Sequence, residues 1–101
     1  MKIIAIEKDM PGSTPEEFKE FSENEALEAW KLYQEGFIRE MYFKAGKSSA
    51  VLILESNDLI EANIMLKRLP FVKKGLITFD LIPLKPYPGF SRLFKPQSSN
   101  E

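Results

Sequence analysis

The acidic residues of the predicted β-strands are the side chains of this protein best suited to chemistry. The sequence contains no cysteine and no histidine, which excludes thiolate catalysis and the commonest general base and metal ligand. A catalytic proton would therefore move through a carboxylate, a tyrosine, a lysine or water. Strand alternation predicts that Glu7, Glu55 and Asp80 share one face of a sheet, where burial would raise their proton affinity. These three carboxylates are the predicted catalytic residues.

A second group of residues is predicted to bind a ligand. Arg39 can hold an anion, because a guanidinium grips a carboxylate in bidentate fashion. It alternates with Glu40, which has Tyr42 on its own side of the strand, so Arg39 and Glu40 would point to opposite faces of a regular strand. Trp30 and Tyr33 could line a pocket between the preceding helix and the sheet.

Each of these residues also has a purely structural interpretation. Glu7 and Glu55 lie near predicted strand ends, where water could solvate them, and Arg39 could pair with a neighbouring acid at the surface. Aromatic residues at helical spacing, such as Trp30 and Tyr33, pack in a core more often than they bind ligands. The sequence leaves both interpretations open for every one of these residues.

The composition of the chain bounds its class. Its 101 residues are 44% hydrophobic and 29% charged, which is typical of one globular domain. The 14 basic and 15 acidic residues give a net charge of -1 and form no basic stripe, so we expect no nucleic-acid partner. No apolar run approaches membrane-spanning length and the start MKIIAIEK is unlike a signal peptide, so we expect no membrane partner and a cytoplasmic location.

Apolar periodicity predicts six elements in the order strand, helix, strand, strand, helix, strand. The central hairpin consists of two strands, residues 38–43 and 50–55, joined by a short connection that contains AGKSS. Residues 2–8 and 76–84 form the first and last predicted strands. This order predicts an α+β, ferredoxin-like βαββαβ fold with a four-stranded antiparallel sheet.

Local signals predict where the two helices begin and end. The TPEE sequence at residues 14–17 supplies an N-cap hydroxyl, a proline at the first helical position and a glutamate that can close a capping box. Gly36 is expected to end this helix, and the SENE sequence at residues 22–25 predicts a kink or a break in it. Ser56 or Asn57 is expected to cap the second helix.

Apolar residues occupy both faces of the predicted sheet, whereas two helices can cover only one. The set predicted to face the helices is Ile4, Ile6, Leu52, Leu54, Ile77, Phe79 and Leu81. The opposite face is predicted to hold Ile3, Ala5, Val51, Ile53, Leu76 and Ile82, mixed with Glu7, Glu55, Thr78 and Asp80. Burial of each aliphatic side chain is worth on the order of 1.5 to 3 kcal/mol. We therefore expect a homodimer through the sheet faces, or a higher oligomer built from it, with a monomer as the alternative.

The chain is expected to form one domain. Residues 1–94 are predicted to be a single ferredoxin-like α+β domain with an aromatic C-terminal extension. Four apolar residues of this extension are expected to pack on the helices or to reach a neighbouring chain: Tyr87, Phe90, Leu93 and Phe94. The polar end KPQSSNE, residues 95–101, is predicted to be disordered.

Several sequence features resemble the muconolactone isomerase-like branch of the dimeric α+β barrel proteins. They are an aromatic-containing first helix that ends at Gly36, a second strand that carries Arg39, the E-S-N-D start of the second helix, an L-P helix stop, and a final strand that ends in I-P-L. The similarity covers roughly residues 26 to 88.

The resemblance implies a class of reaction. Members of the isomerase group move a double bond in a lactone ring by shifting a proton, without a metal or organic cofactor, and assemble from dimers into larger rings. Such a shift needs a base, an acid and a group that holds an enolate-like oxygen. The implied function is a small-molecule-handling protein, specifically a cofactor-independent isomerase acting on a small lactone or carboxylate. The alternatives are a non-catalytic ligand-binding or regulatory module and a structural subunit with a filled lumen.

Overall fold

The structure, a computed structural model, describes residues 1–94. Its elements are β1 (Lys2–Asp9), α1 (Pro15–Gln34), β2 (Ile38–Phe43), β3 (Ala50–Glu55), α2 (Leu59–Leu66), α3 (Pro70–Lys73), β4 (Ile77–Leu84) and a 3-10 helix (Gly89–Phe94). The predicted disorder of residues 95–101 lies outside the described residues.

The four strands form one antiparallel sheet in the order β2-β3-β1-β4. Chain order therefore differs from spatial order, because α1 and the α2-α3 segment each carry the chain across the sheet. This arrangement confirms the predicted α+β, ferredoxin-like βαββαβ fold. Within the described part of the chain, no helix is both long and apolar enough to span a membrane.

Helix α1 begins at the capping box that its sequence predicts. The Thr14 side chain accepts a hydrogen bond from the Glu17 N–H at 3.3 Å, and the Glu17 carboxylate accepts one from the Thr14 N–H at 3.0 Å. Gly36 follows the helix with a φ of 88°, a left-handed conformation that glycine adopts without strain. The predicted break at residues 22–25 is wrong, since α1 is one helix of 20 residues, and the alternative of a kink stays a prediction. Glutamates are good helix formers, and tertiary packing overrides the weaker residues between them.

Loss of the Thr14 cap is expected to destabilise the domain modestly. Thr14→Ala removes the acceptor for the Glu17 N–H, and such a loss typically costs about 1 kcal/mol of unfolding free energy. Urea unfolding followed by circular dichroism measures this change. Thr14→Ser is the matched control, because it keeps the hydroxyl and should unfold close to the wild type. An equal loss in both variants would contradict a role for the hydroxyl.

Helix α2 is capped one or two residues later than predicted. The Asp58 carboxylate accepts a hydrogen bond from the Glu61 N–H at 2.7 Å and is the N-cap. Ser56 and Asn57 instead donate to the Glu61 carboxylate, from the Ser56 hydroxyl at 3.0 Å and the Asn57 N–H at 2.7 Å. The helix ends at Leu66, before the predicted Leu-Pro stop, and the proline begins α3.

Strand β1 faces the opposite way from the prediction. Ile3 and Ala5 are fully buried beneath the helices, opposite Leu54 and Leu52 of β3. The prediction that Ile4 and Ile6 face the helices is therefore wrong, as is the placement of Ile3 and Ala5 on the other face. A shift of one residue moves every side chain of a strand to the other face. Leu76 is also misplaced in the prediction, because it is buried just before β4 begins.

The sheet face opposite the helices, called the open face below, remains partly apolar after this correction. Strand register places on it Ile4, Ile6, Tyr42, Val51, Ile53, Ile82 and Leu84, together with Lys2, Lys8, Glu40, Glu55, Thr78 and Asp80. Ile82 is 43% exposed and Leu84 39% exposed in the single chain. Apolar side chains at this density on one surface are typical of an interaction site.

The C-terminal extension carries its apolar side chains in solvent. Tyr87 and Phe90 contact each other edge to face, with ring centroids 5.0 Å apart. Both rings remain exposed, as do Leu93 and Phe94. These residues do not pack on the helices of their own chain, and the expectation that they reach a neighbouring chain stays a prediction.

Candidate functional site

A cavity of about 650 Å³ lies between α1 and the helix-facing side of the sheet. Its walls are mostly apolar, with Phe18, Met41, Phe43, Leu52, Phe71 and Phe79 among the lining residues. This volume lies within the range of sites that bind small molecules. The cavity is therefore the candidate ligand site of the chain.

The elements around the cavity explain why these side chains converge. Phe18, Ser22 and Glu25 follow one another at four- and three-residue spacing, so they share one face of α1. Phe71 of α3 contacts Phe18 edge to face with ring centroids 5.0 Å apart, and both rings line the cavity. Ala50 on β3 lines it from the sheet.

A β-bulge at Arg39 orients the strand that forms the opposite wall. Ile38 pairs with Leu54, whereas Glu40 already pairs with Ile53, so Arg39 is the extra residue. The bulge lets Ile38 and Met41 both face the helices although they are three positions apart. It thereby brings Met41 and Phe43 to the cavity.

Glu25 is the polar group of the cavity whose titration is most altered. Its carboxylate accepts a hydrogen bond from the backbone N–H of Phe71 at 2.8 Å. Burial raises the pKa of Glu25 from 4.5 to about 7; the Phe71 N–H opposes this rise, and repulsion by Glu7 adds to it. Near neutral pH the Glu25 carboxyl is therefore partly protonated and partly ionised.

Glu7 reaches the same cavity from β1. Its carboxylate accepts a hydrogen bond from the Ala50 N–H at 2.9 Å. Burial raises the pKa of Glu7 and Asp9 adds to this rise, whereas the Ala50 N–H, Lys44 and Lys47 lower it. The Glu7 carboxylate also acts on Glu25, since its negative charge adds to the rise of the Glu25 pKa that burial causes.

The two carboxylates give the cavity the means for acid-base chemistry. A group that titrates near the working pH can both take and return a proton, and perturbed carboxyls in apolar clefts are typical of active sites. Lys19 lines the cavity as a cation that can face a developing negative charge. Among residues 1–94, no group of three or more acidic side chains is arranged to hold a metal ion.

The three predicted catalytic carboxylates do not lie together. The prediction that Glu7 shares a face with Glu55 and Asp80 is wrong, because Glu7 pairs with Phe79 and lines the cavity on the helix side. Glu55 binds the Met1 ammonium at 2.7 Å, and this hydrogen bond lowers the pKa of Glu55. Asp80 pairs with Lys8 at 2.8 Å on the open face. The roles of Glu55 and Asp80 stay predictions, at a different surface from the cavity.

The predicted ligand-binding residues lie outside the cavity lining. Arg39 donates from Nε to the Gly36 carbonyl at 2.6 Å. The Tyr42 hydroxyl donates to the Glu40 carboxylate at 2.6 Å on the open face, and this bond raises the pKa of Tyr42. Their binding roles also stay predictions.

Trp30 and Tyr33 stack on each other on the outer surface of α1. Their ring centroids are 5.7 Å apart, and Trp30 is 55% exposed and Tyr33 50% exposed. Neither aromatic residue lines the cavity. The pair lies outside both the cavity lining and the buried core, and its predicted binding role stays a prediction.

Glu25 is the residue of the site that the sequence interpretation missed. It lies in SENE, a segment that was interpreted only as a helix kink or break because of its poor helix formers. The available signal was its position: Glu25 lies seven residues after Phe18 and seven before buried Leu32, within the apolar stripe of α1. An acid at an inward helical position is unusual and marks a candidate functional group.

The pKa of Glu25 predicts that stability falls as pH rises. Below pH 4.5 the carboxyl is protonated in both the folded and the unfolded chain. Between pH 4.5 and about 7 it ionises first in the unfolded chain, which lowers the free energy of unfolding, and above about pH 7 this decrease is complete. One pKa unit corresponds to about 1.4 kcal/mol of unfolding free energy. Because Glu25 is partly exposed to solvent, we expect the whole shift to lower the unfolding free energy by about 2 kcal/mol. Glu25→Gln should remove this loss, so its stability advantage over the wild type should grow across this window. Urea unfolding at several pH values measures the difference.

The matched control is Glu23→Gln, which removes an exposed acid of the same helix. Its stability difference from the wild type should stay nearly constant over the same pH window. A constant difference for Glu25→Gln as well would contradict the raised pKa.

Comparison with known proteins bears on the fold. No protein-family model matches the chain, and no curated protein matches its sequence. Among solved structures it is similar to the 5-chloro-2-hydroxyhydroquinone dehydrochlorinase TftG from Burkholderia phenoliruptrix AC1100, in complex with 2,5-dihydroxybenzoquinone. The TM-score is 0.61 at 21% sequence identity, over 88% of this chain and 98% of that chain. This similarity supports the ferredoxin-like α+β fold described above.

Proposed function

We propose that the chain is a small-molecule-handling enzyme of the muconolactone isomerase-like type, which shifts a proton within a small ring compound and uses no metal or organic cofactor. The observation that supports this most is the Glu25 carboxyl, whose pKa of about 7 places a proton acceptor and donor inside an apolar cavity. The sequence resemblance implies the reaction class, and the cavity is the proposed location of the reaction.

The proposed reaction is a balanced proton shift. Ionised Glu25 takes a proton from a carbon next to a carbonyl group; the C–H bond breaks, and its electron pair moves toward the carbonyl oxygen. Glu25 then returns a proton to a second carbon of the conjugated system, and the double bond changes position. One proton leaves and one returns, so the shift needs no oxidant or reductant. Lys19 lines the same cavity and is the proposed partner of the enolate-like oxygen.

Glu7 has an electrostatic role in this proposal. Burial is the main cause of the raised Glu25 pKa, and the negative charge of Glu7 adds to it. A base with a pKa near the working pH combines a sufficient ionised fraction with sufficient proton affinity. Glu7 therefore acts through Glu25 and is a positioning residue.

The similar structure gives coarse support. TftG is named as a dehydrochlorinase of a hydroxylated ring compound and holds 2,5-dihydroxybenzoquinone. A shared fold does not transfer a reaction. The shared fold agrees with the handling of a small ring molecule. The isomerase chemistry proposed for this chain rests on the resemblance of its sequence and on its own cavity.

The proposal includes a homodimer joined through the open face. That face holds apolar side chains from all four strands, and the helices cover the other side of the sheet. A second copy with two-fold symmetry would cover the surface with itself.

A direct test uses α-angelica lactone, an uncharged ring in which a proton shift moves the double bond into conjugation with the carbonyl group. Incubation with the protein in deuterated water, followed by proton NMR, reports both double-bond movement and deuterium uptake. The expected result is faster isomerisation with the protein than in buffer alone. Binding without double-bond movement across a panel of such lactones would contradict catalysis and indicate a ligand-binding module.

A further inference from the structure

The charged groups around the cavity are mostly of one sign. Three carboxylates line it, from Glu7, Asp9 and Glu25, and among the described lining residues Lys19 is the one cation. Lys44 and Lys47 are exposed on the β2-β3 connection and act on Glu7, whose pKa they lower. At the lining residues themselves, an anionic ligand would therefore meet three carboxylates and one ammonium group, with Lys44 and Lys47 farther out on the β2-β3 connection.

No arginine lines this cavity, and among its described lining residues Lys19 is the one cation that could meet a ligand carboxylate. Proteins commonly bind carboxylates through the bidentate fork of arginine. Arg39 donates to the Gly36 carbonyl, and Arg68 makes two hydrogen bonds to Glu35 at 2.7 and 2.8 Å; neither lines the cavity. Glu7 and Glu25 are partly buried, so water screens repulsion between like charges less there than in bulk solution.

The inner polar groups instead favour a ligand that donates hydrogen bonds. The carboxylates of Glu7 and Glu25 each accept one backbone N–H, which leaves further lone pairs unused. The hydroxyls of Ser13 and Ser22 already donate to backbone carbonyls at 2.8 and 3.1 Å. A ligand hydroxyl or N–H would meet these acceptors, and protonated Glu25 can donate to a ligand carbonyl group.

The aromatic walls favour a flat ligand. Phe18, Phe71 and Phe79 line the cavity together with aliphatic side chains. Aromatic side chains pack against planar rings in stacked or edge-to-face arrangements. The cavity therefore combines a surface for a ring with hydrogen-bond acceptors at its acidic residues.

We propose that the cavity selects an uncharged ring compound bearing a hydroxyl or carbonyl group, and rejects ring compounds that carry a carboxylate. This inference rests on the proposed function, because it concerns the same cavity. It narrows the substrate class: of the lactones and carboxylates that the sequence resemblance implies, uncharged lactones and related hydroxylated rings fit this chain.

A matched pair of probes tests the selection by charge. 4-Hydroxybenzamide and 4-hydroxybenzoate have nearly the same shape, but only the second is ionised near neutral pH. Their affinities are measured by NMR titration of the intact chain, with the signals of Phe71 and Phe79 as reporters of the cavity. We expect the amide to bind about tenfold more tightly or better, since like charges in contact oppose binding.

Two double variants separate the cavity charges from the overall charge. Glu7→Gln with Glu25→Gln should bring the two affinities to within about threefold, because the repelling charges are gone. Glu20→Gln with Glu23→Gln makes the same change in net charge at exposed positions of α1 and should leave the preference unchanged. In the wild type, the preference should also shrink when pH falls from about 8 to about 6, as Glu25 gains its proton.

The outcomes distinguish the selection from the site itself. Perturbation of the cavity signals by the benzoate at equal or lower concentration than the amide would overturn the selection and leave the cavity as a ligand site. An equal change of the preference in both double variants would also overturn the selection and leave the cavity as a ligand site. Failure of both probes to perturb Phe71 and Phe79 at millimolar concentration would overturn the proposed ligand site and the selection with it.

Discussion

Turnover of a lactone substrate should fall by about 10²- to 10⁴-fold in a Glu25→Gln variant, which is the usual contribution of a general base. Glutamine keeps the volume of the side chain and an oxygen that accepts the Phe71 N–H, now bonded at 2.8 Å. It cannot take up a proton from carbon. The loss should therefore appear in kcat, with KM little changed. Initial rates of α-angelica lactone isomerisation measure both constants.

Two controls make this result specific. Glu23→Gln removes an exposed acid two positions earlier in α1 and should retain wild-type rates. Glu7→Gln should retain activity but move the rising limb of the pH-rate profile below its wild-type midpoint of about 7, because Glu7 no longer repels the Glu25 charge. Full activity in Glu25→Gln would contradict the assignment of this residue as the base.

Dissociation of the dimer is the second large expected effect. Ile53 lies within the open face, between Ile4 of β1 and Glu40 of β2. Ile53→Lys loses about 2 kcal/mol of apolar burial on each side of a two-fold interface, so the dissociation constant should rise about 1,000-fold. Sedimentation velocity at micromolar concentration should show a dimer for the wild type and a monomer for the variant.

Ile60→Lys is the matched control for this experiment. Ile60 is 74% exposed on α2, on the helix side of the sheet. The same substitution there should leave the dimer intact. A wild-type monomer, or an Ile53→Lys variant that remains dimeric, would contradict an interface at the open face. Circular dichroism checks that both variants remain folded.

The order of the elements was predictable because each has a local chemical signal. The Thr14 hydroxyl, Pro15 and Glu17 define the start of α1, and Gly36 defines its end through a backbone conformation that disfavours other residues. The hairpin strands have apolar side chains bounded by turn residues. These local signals do not depend on which elements later pack together.

The orientation of β1 was not predictable in the same way. Residues 3–6 read Ile-Ile-Ala-Ile, so both faces of the strand are apolar and alternation does not identify the buried one. Tertiary pairing decides the outcome, by placing small Ala5 opposite Leu52 beneath the helices. The same error placed Glu7 on the wrong face, because residues two apart in a strand share a face and Glu7 lies two positions after Ala5.

The site was only partly predictable because it combines distant segments. Glu7 was a candidate because of its residue type and its predicted strand face, and the absence of histidine directed attention to carboxylates. Glu25 becomes distinctive only when Phe71, 46 residues later, supplies its N–H and apolar cover. The bulge at Arg39, which turns Met41 toward the cavity, likewise depends on strand pairing.

Site-resolved titration of the Glu25 carboxyl by NMR tests the central claim most directly. The signal is assigned by its disappearance in Glu25→Gln, and its shift is followed against pH in the intact chain. We predict a midpoint of about 7 in the wild type and a lower midpoint in Glu7→Gln. A wild-type midpoint at 4.5, the value of an unperturbed glutamate, would contradict a proton-transferring carboxyl in this cavity.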